Sequence, residues 1–84
     1  MSLKETDGRS PQAILSRVAK ARNQAAKAGY SDVDVYVRAL NLTRERVLDF
    51  ARNGPLERIP GQGVIRTIYI KTADGWLTIP GDLA

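Results

Sequence analysis

The sequence of 84 residues contains no cysteine and no histidine. The first absence removes disulfides, thiolate nucleophiles and the sulfur ligands of zinc. The second removes a common metal ligand and the side chain that titrates nearest neutral pH. Aromatic residues are few: three tyrosines, one tryptophan and one phenylalanine. Nine acidic residues remain for acid–base work, but none forms a pair among apolar neighbours that would raise a pKa. Gly61-Gln62-Gly63 lacks the strand, helix and lysine of a phosphate-cradling loop. No enzymatic activity, metal, cofactor or small-molecule substrate is therefore expected. Long apolar runs are missing too, and the stretch from Met1 to Pro11 carries Lys4, Glu5, Asp7 and Arg9. It reads as neither a signal peptide nor a membrane span, and a soluble cytoplasmic protein is expected.

What the chain does have is uneven positive charge. The net charge is +4, and both ends are slightly acidic, so the basic excess lies between Arg9 and Lys71. Arg9, Arg17, Lys20, Arg22 and Lys27 follow one another with no acid until Asp32. A polyanion is the natural partner of such a segment. A chain of this length builds one core and buries only about 60 % of the surface its unfolded form exposes, so self-association would help it. Residues 1–9 read as a flexible arm and residues 10–84 as a single small domain.

The expected fold class is α+β, with three helices followed by a C-terminal hairpin. Ser10 and Pro11 are a helix start, and helix one should run over 11–28 to a left-handed Gly29. Ile14, Val18, Ala21 and Ala25 recur at helical spacing as a narrow stripe, suited to packing against a second helix, including its own copy in a dimer. Ser31 and Asp34 suggest a second helix over 32–40, although the β-branched run Val33 to Val37 makes strand a competitor. Thr43 caps a third helix over 44–53, stopped by Asn53-Gly54-Pro55. The β-branched segment 64–71 and the segment 76–79 flank Thr72-Ala73-Asp74-Gly75 and predict a hairpin.

Leu40, Asn41, Leu42, Thr43, Val47 and Phe50 together resemble the helix-turn-helix families of DNA-binding proteins over residues 34–54. The resemblance implies a third helix entering the major groove, with Thr43, Arg44, Glu45 and Arg52 reaching DNA. A hairpin directly after such a unit is similar to a winged helix, which implies Arg66 and Lys71 as wing contacts. Arg17, Lys20, Arg22 and Lys27 of helix one offer a second phosphate-binding face. The expected partners are duplex DNA and a second copy of the chain, the latter meeting Ile14, Val18, Ala21, Ala25, Tyr69 and Trp76. The function this implies is that of a small dimeric transcriptional regulator or architectural protein. The rival reading is an antitoxin-like or adaptor module that binds protein through helix one and the hairpin. RNA is a weaker third, because Tyr69 and Trp76 on two strands make a thin stacking platform.

Overall fold

A computed structural model describes residues 2–5, 11–52 and 54–83. In chain order the elements are β1 (Ser2–Glu5), α1 (Pro11–Lys27), β2 (Val33–Ala39), α2 (Arg44–Arg52), β3 (Ile65–Thr72) and β4 (Gly75–Ile79). Short 3-10 turns at Pro55–Arg58 and Pro60–Gln62 lead into β3, and one at Gly81–Leu83 follows β4. The strands form one sheet in the order β1-β2-β3-β4. The first three are parallel and β4 runs antiparallel to β3.

This arrangement mixes helices and strands as expected but overturns the plan of three helices followed by a hairpin. The expected second helix, 32–40, is strand β2. The reason is written in Val33-Asp34-Val35-Tyr36-Val37-Arg38-Ala39, where apolar and polar or aromatic residues alternate strictly. That is the period of a half-buried strand, and the three valines are stiff at χ1 in a way that suits it. Asp32 takes a left-handed conformation, φ 55°, and turns the chain into β2 instead of opening a helix. Nor are β3 and β4 a separate C-terminal hairpin. β3 pairs along its other side with β2, Tyr36 opposite Tyr69 and Val37 opposite Ile70, so the pair is one half of a four-stranded sheet.

The two α-helices sit close to where helical spacing and caps place them. α1 ends at Lys27, one residue before the expected limit, and Gly29 (φ 81°) closes it. The Tyr30 amide donates to the Ala25 carbonyl and the Gly29 amide to the Ala26 carbonyl, a Schellman pairing that satisfies the last carbonyls of the helix. The expected caps at Ser10 and Asn53 lie outside the described residues. α2 begins after Thr43, whose Oγ1 accepts from the Arg46 amide at 3.3 Å.

Both connections between parallel neighbours carry a helix, and both helices pack on the same face of the sheet. Ile14 and Val18 of α1, Val47 and Ala51 of α2, and Val35, Val37, Ile68, Ile70, Leu77 and Ile79 of the sheet are all fully buried in one aliphatic core. Leu42, Leu56 and Ile59 close its ends. Side chains alternate across a strand, so the intervening residues of β2, β3 and β4 stand on the opposite face, which no described helix covers.

Candidate functional site

That uncovered face holds three of the four large aromatic rings outside the helices. Strand register puts Asp34 beside Thr67, Tyr36 beside Tyr69 and Arg38 beside Lys71, while β4 adds Thr78 beside Tyr69 and Trp76 beside Lys71. The rings of Tyr36 and Tyr69 are stacked, centroids 4.7 Å apart and planes 16° from parallel. That separation equals about one strand spacing. Rings lying flat side by side could not come so close, so these two overlap and stand out from the sheet. Trp76 meets Tyr36 edge to face, centroids 6.4 Å apart at 89°, and remains 50 % exposed. The Lys71 ammonium lies 5.4 Å from the centroid of the Trp76 ring, a cation–π distance.

Polar groups frame the rings. At one end the register shifts between Val33 and Asp34, and Arg66 falls at the irregularity. Its guanidinium grips Asp34 with two hydrogen bonds, 2.7 and 3.1 Å. This fork raises the Arg66 pKa, first through the hydrogen bonds to Asp34 and then through its charge. Arg38, exposed, and Lys71, half-buried, stand at the other end.

The edge of β4 is closed by side chains. Arg44 Nε donates to the Trp76 carbonyl at 2.9 Å, and the Thr78 amide donates to the Asp82 carboxylate at 2.6 Å. The guanidinium of Arg44 lies 3.8 Å from Asp82. These groups occupy backbone positions that a further strand would need, a common way to blunt a sheet edge. Asp74, in the turn between β3 and β4, accepts from the Arg44 amide at 2.8 Å and from the Thr72 hydroxyl at 3.0 Å. It thereby caps α2 from outside the helix. The Arg44 amide first, and the Thr72 hydroxyl second, hold the Asp74 carboxyl below the usual aspartate range.

The residues singled out in the sequence are dispersed over the molecule. Thr43 caps α2 and Arg44 clasps β4, while Glu45 and Arg52 lie exposed along a shallow polar depression on α2. The segment that resembles a helix-turn-helix is strand, turn and helix. The Leu42 amide closes the turn onto the Ala39 carbonyl, and Leu40, which the resemblance puts at a helix end, follows strand β2 and is 47 % exposed. Ile14, Val18 and Ala21 are buried within the chain's own core, and Ala25 lines a groove with Ala28, Tyr30 and Val33. Arg17, Lys20 and Lys27 are exposed on α1. Arg22 bonds to Gln62 and Asn23. Only Tyr69, Trp76, Lys71 and Arg66 come together, on the open sheet face, where Tyr36 and Arg38 join them.

Tyr36 and Arg38 fall in the expected second helix and so are not among the residues the sequence points to; the alternation through β2 is the signal that places them beside Tyr69 and Lys71. Among the described residues no cluster of acids could hold a metal ion, and no helix is long and apolar enough to cross a membrane. In comparisons with known proteins, the chain matches no protein family, no curated protein and no solved structure.

Proposed function

We propose that this protein is a non-enzymatic nucleic-acid-binding domain that takes single strands, DNA or RNA, on the open face of its sheet. The observation that carries the reading is the grouping of Tyr36, Tyr69 and Trp76 between Arg66 at one end and Arg38 and Lys71 at the other. Sheets with parallel strands are normally covered on both faces. Here no described helix covers one face, and that face is furnished with aromatic rings and cations in a protein of net charge +4. Unpaired bases offer π-faces to such rings and phosphates to such cations, and paired bases within a duplex do not expose their faces. The expectation of duplex binding through two helices gives way here, because the first of those helices is β2.

Trp76 is the sole tryptophan, so its emission reports directly on the site. The test is fluorescence anisotropy with labelled single-stranded and duplex oligonucleotides of one sequence, at low and moderate salt, together with quenching of Trp76. Single strands should bind more tightly, quench Trp76 and weaken as salt rises. Trp76→Ala should cost about 1–3 kcal/mol, or roughly 5- to 150-fold in affinity, if one base stacks there. Preferential duplex binding with Trp76→Ala neutral would place the site elsewhere. Dimerisation abolished by Trp76→Ala, without nucleic-acid binding, would assign the face to a protein partner.

A further inference from the structure

We infer that the outer face of α1 is a second nucleic-acid surface, back to back with the sheet face, so that a single chain can hold two strands at once. The inference rests on the reading of the sheet face as a single-strand site. Its own support lies on the other layer of the molecule. α1 contains Arg17, Lys20, Arg22 and Lys27 and no acidic residue. Its buried stripe of Pro11, Ile14, Val18 and Ala21 faces the sheet. Lys20 and Lys27 are seven residues apart, which returns them to nearly the same angle on the helix and separates them by about 10 Å along it. Both are exposed, Arg17 flanks them, and none of the three has an acidic partner among the described residues. Arg22 bonds only to the amides of Gln62 and Asn23, which leave its charge uncompensated. The described ion pairs Arg44–Asp82 and Arg66–Asp34 both lie off this helix.

The chemistry of the two faces differs in a way that selects the occupant. The sheet face has rings for bases. The exposed side of α1 carries cations among Gln24, Asn23 and Ser16, and the exposed ring of Tyr30 lies past the C-terminal end of the helix beside Ala25 and Ala28, so the helix itself presents no row of rings to stack on and no large apolar face to insert into a bilayer. Such a surface fits the phosphate backbone alone and should be indifferent to sequence. With bases held on one layer and phosphates on the other, two strands lie on opposite sides of one small domain. A protein of that form brings nucleic acids together.

The test uses the whole chain and two non-complementary oligothymidylates of about 15 nucleotides, a length within the usual range of single-strand sites. One carries a donor dye and the other an acceptor, so energy transfer reports both strands on one particle. Wild type should give transfer at protein and strand concentrations near equality and lose it when protein is in large excess. Lys20→Gln/Lys27→Gln should weaken the second binding step until transfer is lost at these concentrations, lower its salt slope by about 1 to 2 when it is followed at higher strand concentration, and leave Trp76 quenching by a single strand within about twofold. Arg46→Gln/Arg58→Gln removes the same net charge elsewhere and should keep the transfer. Quenching of Trp76 without transfer in wild type overturns the inference while sparing the sheet-face reading. Transfer that survives in Lys20→Gln/Lys27→Gln also overturns it, since the strands would then be bridged by a dimer. Binding lost in that variant with no quenching of Trp76 in wild type overturns both readings, as does no binding at all.

Discussion

Arg44 separates the resemblance seen in the sequence from the role the fold gives it. By the resemblance it reaches for DNA. In the structure its Nε bonds to the Trp76 carbonyl at 2.9 Å and its guanidinium approaches Asp82 at 3.8 Å. Replacing it with alanine removes one charge-assisted bond, worth about 1 kcal/mol net at a site this open to water. It also removes an ion pair whose side chains are 41 % and 38 % exposed, worth about 0–1 kcal/mol. Arg44→Ala should therefore destabilise the fold by about 1–2 kcal/mol, and in a domain of this size that lowers Tm by roughly 5–15 °C. Arg44→Lys keeps the charge near Asp82 but loses the Nε–H, so it should recover less than half of the loss. Circular dichroism melts at two salt concentrations measure this, and Trp76 emission reports whether the β4 edge loosens first. If Arg44→Ala leaves Tm within about 2 °C of wild type while duplex affinity falls tenfold, the structural argument is refuted and the groove-contact role stands.

Asp74 gives a pH dependence of definite sign. Its folded pKa is depressed, chiefly by the Arg44 amide and then by the Thr72 hydroxyl, so its contribution is present above the unfolded value of about 3.9 and is lost as pH falls through the folded value. Asp74→Asn should be less stable than wild type in urea at neutral pH, and the difference should shrink as the pH is taken below the ordinary aspartate range; a gap that widens with acid contradicts the capping role. Gly29→Ala meets no atom within 4 Å but must hold φ near +81°, so the loss, about 1 kcal/mol in a denaturant titration, should come from backbone strain alone. Ile68→Ala opens a cavity at a residue with no exposed surface in the central strand pair and should cost about 2–5 kcal/mol, enough to leave much of so small a domain unfolded at 37 °C by circular dichroism.

Helices were legible where their ends carry local chemistry. Pro11, Gly29 and Thr43 each act within a turn of themselves, and α1 and α2 lie within a residue or two of the limits those residues predict. β3 and β4 were legible because Ile65, Thr67, Ile68 and Ile70 are β-branched in a row and Ala73-Asp74 breaks them. What the sequence conceals is which strands become neighbours. Nothing near Ile68 indicates that Val35 will lie beside it, since the two are joined only through a helix and two turns. β2 resembles a helix in the sequence because Ser31 and Asp34 look like a helix start, and that local signal competes with the alternation that follows. Once Tyr36 is given to the wrong element, the sheet face keeps only Tyr69 and Trp76, and a three-ring site looks like a two-ring one.

The same correction changes what the rings must do. On a solitary hairpin, Tyr69 and Trp76 would be surplus apolar surface needing a partner simply to be covered. On a four-stranded sheet, the core is already complete on the helix side, with Ile68, Ile70, Leu77 and Ile79 fully buried there. The rings are therefore not needed to fill it. Threonines would suit the strands of that face at less apolar exposure, as Thr67 does beside Asp34 and Thr78 beside Tyr69. An exposed tryptophan held at its carbonyl by Arg44, and edge-on to one of a stacked tyrosine pair, costs solubility and returns little core stability. Its placement beside Lys71 makes sense as recognition: the cation and the ring present one stacking surface and one charge to the same ligand, which is the combination an unpaired nucleotide offers in reverse.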